Sequence, residues 1–236
     1  MKLYVQLSIL SNYVQSCKDF TAKMPKKATH ETLQVKKKVD DFFYHMGFKK
    51  NYAMCTETCG RPYLKFESEA DLSVDFNISH SKEGLAIFVV ACEDGDFRIG
   101  CDLECIHPRK NYLEIAQEVF FPQEVQWIVD GSGEEGLERF YRVWTVKEAW
   151  LKVQGKSVFD MAETPVFTPF VQIPYEPIHI TQFFVSSVKA NNYVVTAVSP
   201  FPLPESVLVL EEGWSFIRKA KMYAAERPVN TVSPKI

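Results

Sequence analysis

Two segments of this chain share one pattern. DLSVDFNISHSKEGLAIFVVAC at 71–92 and HITQFFVSSVKANNYVVTAVS at 179–199 each run apolar alternation, a short polar turn, then apolar alternation again. Alternation with a period of two marks a half-buried strand, and a short polar run between two such strands predicts a hairpin. The predicted turns are Lys82-Glu83-Gly84 and Ala190-Asn191-Asn192. A lone hairpin is marginal in water and has to lay one face on another layer. A helical pattern precedes each hairpin. Over 29–46, Leu33, Val35, Val39, Phe42, Phe43 and Met46 form an apolar stripe that Gly47 ends, and a second helix is predicted over 137–154. The predicted fold class is therefore α+β. Two similar α+β halves, 1–105 and 106–220, meet face to face as a pseudo-twofold pair, followed by a loose tail over 221–236.

Other elements follow from the same reading. Strands are predicted at 1–8 and 95–104, with a short one after the turn CGRPYL (59–64). Residues 111–129 read as one helix or as two divided at FFPQEV, where Pro122 suits a first turn and Glu124 suits a helix N-terminus. DGSGEEG (130–136) reads as a loop, 160–177 as loop with short strands, and 213–225 as a short helix.

Composition limits the function. The 236 residues are 46% hydrophobic and 24% charged, ordinary for a globular protein with a sizeable core. No apolar run reaches the roughly 18 residues of a membrane span, and MKLYVQLSIL reads as a first strand instead of a signal peptide, so the expectation is cytoplasmic. A net charge of −3 argues against a dedicated nucleic-acid binder. Residues 1–50 hold ten Lys against four acids, a net +6, which leaves −9 for the rest. That segment reads either as a solvated lysine face or as a surface for phosphates or an acidic partner.

Six cysteines stand at 17, 55, 59, 92, 101 and 105. The C-x-x-x-C spacings at 55/59 and 101/105 lack the tight knuckles of zinc sites. In IGCDLEC, alternation puts Cys101, Leu103 and Cys105 on one face as small buried hydrophobes, with Asp102 and Glu104 on the other.

Four constellations carry chemistry. Asp102 and Glu104, about 7 Å apart along a strand, either line a solvent edge or share a hard cation such as Mg²⁺. In WTVKEAWLK, Trp144, Glu148 and Lys152 fall at i, i+4 and i+8 on one stripe. As a surface pair, Glu148 and Lys152 add a few tenths of a kcal/mol at most. As part of a partly buried stripe, they need a ligand or each other. In the second reading Glu148 completes the acidic set begun by Asp102 and Glu104, and Lys152 meets a phosphate. The run Asn77-Ile78-Ser79-His80-Ser81 offers either ordinary turn chemistry or phosphate contacts, and Gly60-Arg61-Pro62 presents a guanidinium. P-loop, dinucleotide, nucleophile-elbow and zincin motifs are all absent.

GRPY (60–63), FNISHS (76–81), IGCDLE (99–104), FFPQE (120–124) and WTVKEAWLK (144–152), in this order, resemble the signature set of the Sfp-type 4′-phosphopantetheinyl transferases over about residues 1–200. The resemblance implies Mg²⁺-dependent transfer of the phosphopantetheine arm of coenzyme A to a serine of an acyl, peptidyl or aryl carrier protein, with release of 3′,5′-ADP. It implies a pseudo-dimeric fold with the site in the cleft between the halves. It further implies that Asp102, Glu104 and Glu148 are the metal carboxylates and that Lys152 and His80 meet phosphate. Arg61, Ser79 and Lys147 are implied to lie at coenzyme A, with Trp144 mainly structural. Two departures stand out. Arg61 occupies a position where many relatives carry Lys, and the basic stretch MPKKATHETL is shorter than usual, leaving Lys26, Lys27 and Thr32 as counterparts for gripping the 3′-phosphate.

The mechanism expected from this has the carrier serine attack the β-phosphate, Lys152 add a positive point and Glu148 take the serine proton, directly or through water. A single chain with two halves is expected to be a monomer, with fatty-acid, polyketide and non-ribosomal peptide carriers all open as partners. Two other readings stand beside it: a catalytically silent relative that binds coenzyme A or a carrier protein, and a Mg²⁺-dependent nucleotide hydrolase.

Overall fold

The computed structural model describes residues 4–11, 30–47, 51–67, 73–92, 95–164, 179–204 and 207–220. Strand β1 (Tyr4–Ser11) and helix α1 (His30–His45) are followed by four strands: β2 (Tyr52–Thr56), β3 (Pro62–Phe66), β4 (Ser73–His80) and β5 (Gly84–Cys92). Strand β6 (Gly100–Cys105) leads into α2 (Tyr112–Val119), α3 (Pro122–Gly131) and α4 (Gly133–Gln154). A 3-10 turn (Val158–Glu163) comes next, then β7 (His179–Ser187), β8 (Asn192–Ser199), β9 (Leu208–Leu210) and β10 (Trp214–Lys219).

Both predicted hairpins form. β4 pairs antiparallel with β5, and β7 with β8. Each anchors a four-stranded sheet, in the orders β4-β5-β1-β9 and β10-β7-β8-β6. Period-two alternation then builds the layers. Leu85, Ile87 and Val89 of β5 pack with Val35, Val39, Phe42 and Phe43 of α1. The opposite face of the same strand, Ala86, Phe88 and Val90, joins Cys101, Leu103, Phe183, Val185, Tyr193 and Val195 in a core between the sheets. Phe184 and Val194 point the other way, into a third core with Ala116, Ile128, Phe140 and Val143 from α2, α3 and α4. The result is helix, sheet, sheet, helix, a mixed α+β architecture in which each sheet is apolar on both faces.

Several expectations change. Residues 130–136 are mostly helical: only Ser132, at φ +43, separates α3 from α4, and Glu134 and Glu135 occupy the first turn of α4, where acids are favoured. The 213–225 helix is instead strand β10 over Trp214–Lys219, because β7 offers it an unpaired edge, and residues 221–225 lie outside the described set. The strand predicted at 95–104 is confined to Gly100–Cys105. Strands β2 and β9 appear where none was expected. The sheets also do not divide at residue 105: β6 belongs to the second sheet, and β9 returns to pair in parallel with β1 of the first. Cys55, Cys59, Cys101 and Cys105 are free thiols, with Cys101 and Leu103 in the core as alternation predicted. No helix among the described residues is long and apolar enough to cross a membrane.

Candidate active site

Strands β4 and β6 end their respective sheets, and they meet along a seam of side chains in place of a backbone ladder. Asp75, Asn77 and Ser79 share one face of β4, two residues apart. Asp75 Oδ2 accepts from Ile99 N (2.9 Å), Asn77 Oδ1 accepts from Cys101 N (2.8 Å), and Ser79 Oγ donates to Asp102 Oδ1 (2.6 Å). The sequence signal is the alternation itself: Asp75, Asn77 and Ser79 fall between Val74, Phe76 and Ile78. Only Asn77 and Ser79 were singled out from it.

Helix α4 crosses this seam. Gly100 lets it approach, since a Cβ there would stand 2.0 Å from Ala149 O. Thr145 holds it on the sheet through Thr196 Oγ1 (2.7 Å) and the Gln182 amide, a buried polar knot that sequence reading did not find. At its C-terminus Gly155 adopts the left-handed conformation (φ +66) that closes the last turn. Arg61 Nη1 donates to Lys152 O (2.8 Å) there.

A cleft of about 450 Å³ opens at this junction, and Arg61, Ser79, His80, Asp102, Glu104, Glu148 and Lys152 all line it. Asp102 is 3% exposed. Its Oδ1 accepts from Ser79 Oγ and from Lys152 Nζ (2.8 Å), while its Oδ2 is buried with no hydrogen-bond partner. Lys152 Nζ also donates to Cys101 O (3.1 Å). Burial alone would push the Lys152 ammonium down, but Asp102, with help from Glu148, outweighs it and holds the pKa above the usual lysine value. Glu104 is pushed up to about 7, first by burial and then by the negative charges of Asp102 and Glu148. Glu148 is raised for the same reasons, burial first and Asp102 second. Glu104 and Glu148 thus hold their charge poorly, and the buried Oδ2 of Asp102 beside them is unmatched. Both are relieved by a cation. As the side chains stand, no three His, Cys, Asp or Glu groups converge at ligand distance among the described residues. The donor set is hard oxygen throughout, which suits Mg²⁺.

The structure does not bring every expected residue to the cleft. Lys147 is fully buried in an ion pair with Glu124 (2.9 Å), and its ammonium also donates to Met161 O (3.2 Å) and Thr164 O (2.6 Å). Phe120 and Phe121 stack over it. Lys147 therefore packs in the interior and does not line the cleft, because it precedes Glu148 by one residue and one residue is about 100° of helix rotation. Arg61 reaches the cleft wall, but its guanidinium is committed to Asp75 and to the carbonyls of Lys152, Phe76 and Ile99, so its role here is to tie the wall together. Trp144 packs against Phe120 and Phe140 as expected. Lys26 and Lys27 lie outside the described residues, and of Thr32 only the backbone, within α1, is described.

Residues 98–198 match the family model of the 4′-phosphopantetheinyl transferase superfamily. That stretch carries Asp102, Glu104, Glu148 and Lys152, whereas Arg61, Ser79 and His80 lie before it. Curated 4′-phosphopantetheinyl transferases are similar as well. AcpT of Salmonella typhimurium is 34% identical over 94 residues, 40% of this chain and 47% of that protein. AcpT of Escherichia coli is 36% identical over 86 residues, 36% of this chain and 42% of that one. HetI of a Nostoc species is 32% identical over 110 residues, 47% of this chain and 44% of that one. The matches to curated transferases span from 32% to 47% of the relatives' own lengths.

Proposed function

We propose that this protein is a Sfp-type 4′-phosphopantetheinyl transferase, which moves the phosphopantetheine arm of coenzyme A onto a serine of an acyl or peptidyl carrier protein. One observation carries the reading. Within the stretch that matches the superfamily, Asp102, Glu104, Glu148 and Lys152 converge on a single cleft, and Asp102 Oδ2 lies buried there without a partner. The two sheets and their helices serve as two related halves, with the cleft at their seam. The presence of one hairpin in each sheet, β4–β5 and β7–β8, supports this.

Asp102, Glu104 and Glu148 would hold Mg²⁺. When bound, the ion would neutralise the pyrophosphate of coenzyme A and the charge that develops on it. Lys152, fixed by Asp102, presents an ammonium to the phosphate, and His80 on the opposite wall presents a second polar contact. Ser79 holds Asp102 in place. The serine oxygen forms a bond to the β-phosphorus, the bond from that phosphorus to the 3′,5′-ADP oxygen breaks, and 3′,5′-ADP leaves with the electron pair. Glu148 takes the serine proton, directly or through water. The protein acts as a cytoplasmic monomer.

The test is direct. Purified protein, coenzyme A, Mg²⁺ and an apo carrier protein are incubated, and the carrier is weighed. A gain of one phosphopantetheine arm is expected. Nucleotide breakdown with no labelled carrier would sink the proposal in favour of a hydrolase.

A further inference from the structure

The 3-10 turn Val158–Glu163 follows directly on Gly155 and Lys156, which form one lip of the cleft. The turn is fixed at both ends. Ser157 Oγ accepts from Phe159 N (3.3 Å), and Asp160 Oδ2 accepts from Ser157 N (2.9 Å). At the far end Met161 is buried, and Lys147 Nζ grips the carbonyls of Met161 and Thr164 from inside. On this fixed turn Phe159 is 93% exposed, with Val158 beside it at 40%.

Isolated exposed apolar side chains are common and ask for no explanation. Tyr44 on α1 and Val188 between β7 and β8 are of that kind. Phe159 differs in three respects: a second apolar residue adjoins it, its backbone is held rather than loose, and it stands three residues from a cleft-lining lysine. An aromatic ring has only two torsions to fix, so one on a rigid turn loses little entropy on binding, and such rings anchor protein interfaces.

We propose that Val158 and Phe159 are the apolar anchor of the surface on which the protein substrate docks, an inference that rests on the transferase reading. The occupant is the part of the carrier that bears the acceptor serine. A serine that reaches Glu148 must be delivered by a chain lying over this lip, whereas coenzyme A fills the cleft and needs no apolar contact outside it. Charge sets the chemistry of that partner. Lys152 is paired with Asp102 and the turn carries its own acids, Asp160 and Glu163, so the exposed cation of this lip is Lys156: the docking segment sets an acidic side chain against Lys156 and an apolar side chain over Phe159.

Steady-state kinetics with the full-length protein, varying coenzyme A and carrier separately, test this. Phe159→Ala removes an exposed ring, so the melting temperature stays at the wild-type value. The KM for the carrier rises by about tenfold, and the KM for coenzyme A does not change. Phe159→Leu restores most of the carrier affinity, and Val158→Ser with Phe159→Ser exceeds the single variant. The docking surface is overturned if the carrier KM is unmoved in both the Ala and the double Ser variants, or if the coenzyme A KM rises in parallel. If wild type itself labels no carrier, the transferase reading fails first and the docking surface falls with it.

Discussion

Lys152 Nζ and Asp102 Oδ1 lie 2.8 Å apart, and through this contact helix α4 grips the edge strand β6. Ser79 reaches the same oxygen from the other sheet, so both donors crowd one side of the carboxylate and Oδ2 is left buried without a hydrogen bond. Asp102→Asn keeps the shape but removes the charge. Carrier labelling, followed by mass spectrometry, is expected to fall by more than about 100-fold. The circular dichroism spectrum should remain that of a folded protein. Near-full labelling by this variant would mean that the acidic set is not the reactive centre.

Glu104 gives the cleft a pH signature. Its carboxyl is raised to about 7, so the folded protein holds that proton more tightly than the unfolded chain does. The metal-free protein therefore loses stability as pH rises from the ordinary glutamate range through 7. Glu104→Gln is expected to raise Tm by about 2–4 °C at pH 8.5 and to leave it unchanged at about pH 4. Divalent cation binding by wild type, read by calorimetry, should strengthen across the same rise, because the cation displaces the proton.

Lys147 separates a ligand contact from a packing role. Lys147→Met removes the cation of a fully buried ion pair with Glu124, which costs about 3–5 kcal/mol in denaturant unfolding. The fraction that remains folded should bind coenzyme A as wild type does. A selective loss of coenzyme A affinity at unchanged stability would instead return Lys147 to the cleft.

Glu83, in the β4–β5 turn, collects donors from the opposite hairpin: Ser187 Oγ (3.2 Å), Lys189 Nζ (3.0 Å), Asn191 Nδ2 (3.3 Å) and Tyr193 OH (3.1 Å). The Lys189 hydrogen bond leads the causes that hold its pKa down at about 2. Its contribution is fully present above the ordinary glutamate range and is lost as pH falls through 2. Glu83→Gln should melt below wild type at pH 7, and the difference should narrow as pH falls from 4.5 toward 2. A constant gap across thermal melts at pH 7, 4 and 2.5 would show that the carboxylate charge is irrelevant.

Gly100 sets how closely β6 and α4 approach. Gly100→Ala places a methyl against Ala149 O, so the two elements must part and Asp102 moves away from Lys152 and Glu148. Stability should fall by about 1–3 kcal/mol, with a loss of carrier labelling larger than unfolding alone explains. Wild-type labelling by this variant would show that the close approach is not needed.

Much of this was legible in the residues. Period-two alternation fixed which faces Asp102 and Cys101 take, and both hairpins announced themselves by the same rule. The i, i+4 spacing put Glu148 and Lys152 on one stripe, and both line the cleft. What stayed hidden depends on tertiary neighbours. Trp214–Lys219 is a strand because β7 lacks a partner on that side, and nothing local to 213–225 states it. Lys147 sits inside a motif, but a motif does not say which way each of its members points. Arg61 looked like a free guanidinium until β4, β6 and α4 supplied its acceptors.

The seam between β4 and β6 bears on more than the cleft. An edge strand exposes unpaired backbone groups that invite other chains to add on, a common route to aggregation. Here the edges of two sheets cover each other: Asp75 and Asn77 accept from the backbone N–H groups of Ile99 and Cys101, and Ser79 holds the side chain of Asp102. The polar residues that build the wall of the cleft thereby also cover one edge of each sheet. Replacing them with apolar residues would forfeit solubility together with the site.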